Sequence, residues 1–177
     1  MTYLKNAYPE PLRTDMKFDF KLIASGELAE GPEPQNTLTL YLFRITQNEH
    51  LRSRVTPADR LNANPPLSID LHYLLTAWAD TVLAEQTVLT WAMREIQMHP
   101  VLDSSSLSPE SNWGPGDMIQ LIPAELSSDE LFRIWELLQP KYRLSVSYIA
   151  RVVRIDTDEA TGQPVVATRL GFNGVGT

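Results

Sequence analysis

Hydrophobic and polar residues alternate in several short windows of the chain and recur at helical spacing in two others. In "MKFDFKLIAS" (16–25), Met16, Phe18, Phe20 and Leu22 alternate with Lys17, Asp19 and Lys21. A period of two predicts a strand with one wet face. "GELAEGPEPQN" (26–36) is acidic and rich in Gly and Pro, which predicts a loop. "TLTLYLFRIT" (37–46) predicts a second strand, with Leu38, Leu40 and Leu42 on one face and Tyr41, Phe43 and Ile45 on the other. A strand apolar on both faces needs cover on both sides, from helices or from a partner subunit. The polar stretch 47–66 predicts a long loop of the kind that serves binding. "LSIDLHYLLT" (67–76) predicts a third strand, with Ile69, Leu71, Tyr73 and Leu75 facing one way and Ser68, Asp70, His72 and Leu74 the other.

Helical spacing takes over at 78–98, where Val82, Leu89, Met93 and Ile96 form a stripe that Pro100 ends. "DSSSLSPESNWGPG" (103–116) predicts a flexible connection, and "DMIQLIPAEL" a short strand and its exit. The clearest local signal is "LSSDELFRIWELLQP" (126–140). Ser127 and Glu130 have capping-box spacing, and Leu126 and Leu131 stand at the two positions of a hydrophobic staple. Leu131, Ile134, Trp135 and Leu138 complete the apolar stripe, and Pro140 stops it. "YRLSVSYIARVVRID" (142–156) predicts a strand that would span roughly 50 Å at ~3.3 Å per residue. "PVVATRL" (164–170) reads as its hairpin partner across the turn "TDEATGQ". The predicted order β, β, β, α, β, α, β, β describes a single α/β domain over 1–177, a mixed β-sheet flanked by two main helices.

Charge and composition narrow the function. The chain has 177 residues, with 15 Lys and Arg against 22 Asp and Glu, a net charge of −7. An acidic chain is a poor partner for nucleic acid, whose binders carry a basic excess or stripe. The sequence has no cysteine, so disulfides, thiolate nucleophiles and Cys-ligated zinc drop out. The start "MTYLKNAYPEPLRTD" has no apolar h-region and no run nears 18 apolar residues. The expectation is a chain made in the cytoplasm with no membrane span.

Chemistry has few candidates. Asp70 and His72 share a strand face, as the edge of a metal site would require. A site needs a third and fourth ligand, and only His50 and His99 remain as histidines. The alternative is a strand face under polar structure, with His72 hydrogen-bonded to Asp70 or to backbone. Ser104, Ser105, Ser106, Ser108 and Ser111 lie in no G-x-S-x-G elbow, and "GPGD" (114–117) lacks the lysine of a phosphate loop. Glu85, Glu95, Glu125, Glu130 and Glu136 show no pairing spacing. Trp78, Trp91 and Trp135 read as core. Arg44, Arg52, Arg54, Arg60, Arg151 and Arg154 gather near strand ends and one loop, and arginine is enriched at protein interfaces.

Three blocks carry a resemblance: "LTLYLFRITQNEHLRS" (38–53), "PPLSIDLHYLLTAWAD" (65–80) and "IQLIPAELSSDELFRIWELLQPKYRLSVSYIARVVRID" (119–156), with "EQTVLTWAMREIQMHPVL" (85–102) between the last two. In order and wording they resemble the cap, or tail-terminator, family of extracellular contractile injection systems, which are phage-tail-like particles. The resemblance covers about residues 37–156. It implies a phage tail-terminator-like fold and a structural function. The expected product is a ring, hexameric in related particles, on the distal end of the inner tube and sheath, ending polymerisation and anchoring the last sheath layer. It implies no catalysis and no cofactor, and it makes the tube and sheath proteins the partners. Arg44, Arg52, Arg54 and Arg151 are then expected at subunit or sheath contacts, and 16–25, 142–156 and 164–177 are candidates for strand exchange. Ring neighbours would cover the second apolar face of 37–46. Two departures stand out: members of the family begin with a helix where this chain reads as a strand at 16–25, and the connection at 103–116 is short. The ending "GFNGVGT" suggests that the extra C-terminal domain of larger relatives is absent. Alternative readings are a baseplate or tube adaptor of the same particle, and a small metal-dependent enzyme using Asp70 and His72.

Overall fold

A computed structural model of the chain describes residues 1–48, 67–103, 106, 118–138 and 141–155. Most of the loop read at 47–66, most of the connection at 103–116 and the hairpin strand read at 164–170 lie outside these residues. The elements in chain order are α1 (Thr2–Ala7), α2 (Glu10–Asp15), β1 (Asp19–Ile23), α3 (Ser25–Glu30), β2 (Thr37–Gln47), β3 (Leu67–Trp78), α4 (Val82–Met98), β4 (Val101–Asp103), β5 (Met118–Ala124), α5 (Ser128–Leu138) and β6 (Ser145–Ile155).

The strands make one six-stranded sheet in the order β1-β2-β3-β6-β5-β4. β1 runs parallel to β2, and the other pairs are antiparallel. The sheet is mixed, as the sequence predicts, because parallel neighbours need a crossover. That crossover contains α3, where the sequence reads only a loop. Ser-Gly-Glu is a weak helical start, but Leu28 is buried against Leu74, Trp78 and Trp135, so tertiary packing decides. Gly31 closes the helix: its N–H bonds Glu27 O at 3.1 Å, and a Cβ there would stand 2.5 Å from that oxygen. Asn36 adopts φ 43°, a left-handed conformation that asparagine tolerates, and its carbonyl accepts from Asp19 N at 2.9 Å.

The sequence predicts a strand from residue 16, but the strand begins at Asp19 and two short helices precede it. Pro9 and Pro11 at the N-cap and first turn of α2 favour that start. Tyr8 ties the segment down: its hydroxyl donates to Met16 O at 2.8 Å, and its ring meets Trp91 at 4.9 Å and Phe20 at 5.3 Å. The helical beginning typical of the resembled family is therefore present. β4 and its bond from Leu121 N to Pro100 O (2.7 Å) extend the sheet where no strand was read. β6 is 11 residues long, not 15, and lies between β3 and β5. Both its edges are paired along 147–150, so that part is not free for exchange; beyond Arg151 only the β3 side is paired.

Helices cover both faces of the sheet. On one side α4 buries Val88, Leu89, Ala92 and Ile96 over Leu38, Leu75 and Tyr148, with Leu4 of α1 and Tyr8 beside them. The buried stripe is rotated from the one the sequence predicts, and Val82 is exposed. Small Ala92 lets the helix approach the sheet near Ala77. On the other side α3 and α5 bury Leu28, Trp135 and Leu138 over Leu74 and Trp78, with Tyr41 and Phe43 packed alongside. The chain's own helices thus cover part of the second apolar face of β2, leaving Tyr41 and Phe43 half-buried. The capping box of α5 forms as read, with Ser127 N donating to Glu130 Oε2 at 3.0 Å and Glu130 N to Ser127 Oγ at 3.3 Å.

Trp78 links these layers. Its indole N–H donates to Thr39 Oγ1 at 2.8 Å, its ring meets Trp135 at 5.8 Å, and Arg143 lies over it at 5.5 Å. Arg143 in turn reaches Glu33 at 3.0 Å and Glu85 at 4.0 Å. Trp78→Ala should lower the unfolding free energy by about 3–5 kcal/mol in urea titration, as large aromatic truncations do. Thr39→Val, which strands the indole N–H, should lower it by about 1–3 kcal/mol.

Candidate functional site

The alternation of β3 puts Asp70 and His72 on the face that carries Leu74 and Trp78, as read from the sequence. Two interruptions in the neighbouring ladders decide what meets them. On β2, Leu42 opposes Tyr73 but Arg44 opposes His72, so Phe43 is an extra residue. On β6, Ala150 opposes Leu71 and Val153 opposes Ile69, so Arg151 and Val152 together face Asp70. An extra residue shifts every later side chain to the other face and turns the strand locally. Arg44 and Thr46 therefore stand opposite His72 and Asp70. Ile45 moves to the opposite face, opposite Leu71, and is 57% exposed. The sequence groups Ile45 with Tyr41 and Phe43; the bulge at Phe43 breaks that count.

The result is a polar cluster at the end of the sheet. Asp70, with its side chain 8% exposed, accepts from Asn48 Nδ2 on both oxygens at 2.9 and 3.0 Å, and Arg151 Nε donates to its Oδ2 at 3.2 Å. His72 Nε2 shares a hydrogen bond with Thr46 Oγ1 at 3.0 Å, and its ring meets Phe43 edge-on at 6.0 Å. The sequence expects His72 to bond Asp70 or backbone; its partner is a threonine hydroxyl, because the β2 bulge delivers Thr46 to this face. Burial pushes the His72 pKa down, and Arg44 pushes it further, while Asp70 opposes them. Asn48 and Thr46 are the members that pattern reading misses. Nothing marks them in the sequence except a polar end to a strand.

The cluster holds charges in place but gathers no further ligand. Among the described residues, no three His, Asp or Glu side chains come together as a metal site would need. His99 pairs with Glu95 on α4 at 3.1 Å, and Tyr3 donates to the same carboxylate at 2.6 Å. His50 lies outside the described residues, as do Arg52, Arg54 and all the candidate serines except Ser106. Ser106 bonds Asp103 at 3.2 Å in a turn. Glu85 and Glu130 are engaged by Arg143 and Ser127. Of the four arginines read as interface candidates, Arg44 is exposed and makes no hydrogen bond or ion pair among the described residues. Arg151 is 39% exposed and held by Asp70. The opposite face of the same sheet end is an apolar cavity of about 240 Å³, lined by Leu40, Leu71, Tyr73, Leu121 and Val153 among others. No described helix is long and apolar enough to cross a membrane.

Asp70→Ala should cost about 1–3 kcal/mol in urea unfolding, since it leaves Asn48 and Arg151 without their buried acceptor. His72 has a lowered pKa when folded, so the unfolded chain takes up its proton first as pH falls. The stability it contributes is complete above its unfolded value of 6.5 and is lost as pH drops from there to the folded value. Urea midpoints should therefore fall as pH drops below the unfolded value of 6.5, and His72→Gln should remove that part of the fall.

Known proteins place this geometry. Two solved structures share the fold. One is the PVC sheath/tube terminator of an extracellular contractile injection system in its extended state, with TM-score 0.58, 18% identity, and coverage of 99% of this chain and 61% of that one. The other is the anti-feeding prophage tube terminating cap, with TM-score 0.50, 18% identity, and coverage of 93% and 59%. The chain thus spans about three-fifths of the length of these two proteins. No curated protein matches it. The family model for the Pvc16 N-terminal domain matches residues 1–168, from before α1 to beyond β6 and well past the 37–156 of the sequence resemblance. The chain belongs to the Pvc16 N-terminal domain family.

Proposed function

We propose that this chain is a terminator cap of a contractile injection system. It closes the distal end of the inner tube and sheath, ends their polymerisation and anchors the last sheath layer. The observation that carries the reading is the family match over residues 1–168, together with a fold shared with two terminators over nearly the whole chain. Its role is structural and it takes no cofactor. The cluster at Asp70 and His72 supports that role, since its polar atoms bond one another and the strands around them. Copies of the chain close into a ring, a homo-hexamer, through heterologous contacts that leave no open end. Assembly takes place in the cytoplasm, on a tube end, and the particle is then released or kept.

Arg44 and Arg151, at the end of the sheet, meet sheath or neighbouring subunits, and Arg52 and Arg54, outside the described residues, are proposed for the same contacts. β1 and β4 are the two edge strands, and β1, the longer, is the better candidate for pairing with an added chain. The segment 164–177, outside the described residues, is a further candidate for such pairing.

Electron microscopy of particles from cells with and without the gene tests the reading through sheath–tube length. Uniform particles with the gene and long, ragged or missing ones without it are expected. Equal lengths and intact ends in both would sink it. A label on the chain should mark the end opposite the baseplate; a label at the baseplate would identify an adaptor instead.

A further inference from the structure

Arg151 is held in an unusual way for a surface arginine. The bulge gives it and Val152 the space opposite one residue of β3, which turns it onto Asp70. Asp70 takes only its Nε, at 3.2 Å, while Asn48 holds both oxygens of that carboxylate from the other side. The two terminal nitrogens of Arg151 have no partner among the described residues, and the side chain is 39% exposed. Arg44 is exposed nearby and likewise unpaired among them. Both arginines act on His72, which lies between their strands. Glu130 of α5 feels the charge of Arg44 but is bonded to Ser127 at 2.8 and 3.0 Å and makes no ion pair with Arg44.

A planar guanidinium already fixed through Nε offers its two remaining N–H edges as a fork, and a fork fits a carboxylate. We infer that Arg151 is a pre-aimed receptor for an Asp or Glu side chain on a partner protein of the particle, with Arg44 as the second cation and Asp70 as the positioning residue. The partner surface is acidic. A nucleic-acid phosphate fits less well, because a −7 chain with two cations at the site lacks the basic stripe that a polyanion needs. This inference rests on the terminator reading and adds which residue makes the contact and with what chemistry.

The test is co-sedimentation of the purified chain with sheath–tube particles from cells lacking its gene, over a series of NaCl concentrations. Wild-type binding should weaken with salt. Arg151→Gln and Arg44→Glu should each weaken it by roughly tenfold or more at low salt and flatten its salt dependence. Asp70→Asn, which keeps the shape but loses the charge that aims Arg151, should fall between. Arg133→Glu, on the exposed face of α5 and paired among the described residues with Asp129, should bind as wild type. Arg44 has no internal bond to lose, so its variant keeps the test open if Arg151→Gln unfolds. Unchanged binding by Arg44→Glu, or by a folded Arg151→Gln, overturns the inference and leaves the terminator reading standing. Competition by short duplex DNA would identify a phosphate ligand and also overturn it. Absence of wild-type binding to particle ends overturns both.

Discussion

Everything in this domain depends on β3 being apolar on both faces at one end. Leu74 and Leu75 are neighbours in the chain, point to opposite sides of the sheet, and are both almost wholly sealed from water. A strand can do that only in the middle of a sheet with a layer on each side. α4 supplies one layer and α3 with α5 the other. The placement of β2 and β6 beside β3, the crossover through α3 and the reach of Arg143 from Trp78 to acids on α4 and the α3–β2 loop are answers to the same demand.

Toward its start the same strand stops being core. There one face becomes charged, and the other lines an apolar cavity shared with Tyr3 and Leu4 of α1 and Ile96 of α4. The two bulges make this change abrupt, since each resets the alternation of a neighbouring strand beside His72 or Asp70. Asp70 is the pivot. Buried carboxylates persist when paired and hydrogen-bonded, and this one takes an amide from β2's end and a guanidinium from β6. The polar end thus has its own cross-links across three strands and does not rely on helical cover.

Much of this was readable in the residues. The capping box of Ser127 and Glu130, the amphipathic stripe of α5 and the double-faced apolar pattern of β2 are local signals, and local signals survive into the fold. The opposite faces of Asp70 and Leu71 followed from alternation alone. What escaped reading is what depends on distant neighbours. α3 forms because Leu28 finds two tryptophans, α1 and α2 because Tyr8 and Leu4 find α4 and the sheet. The Phe43 bulge has no signature in "YLFRI", yet it moves Ile45 to one face and Arg44 and Thr46 to the other. The His72–Thr46 bond, and the role of Asn48, therefore had no trace in any spacing.

The edge strands of the sheet are short, five residues in β1 and three in β4, while β2, β3 and β6 in the middle run to eleven or twelve. Amide protons in such a molecule are graded in their exchange with solvent water. Those of β3 from Leu74 to Thr76, with ladders on both sides and a helical layer over each face, should open only with the whole domain. Those of β1 and β4 open by local fraying, at a fraction of the global free energy. The domain is thus a rigid slab with two soft margins, and a margin can change its neighbour while the slab keeps its shape.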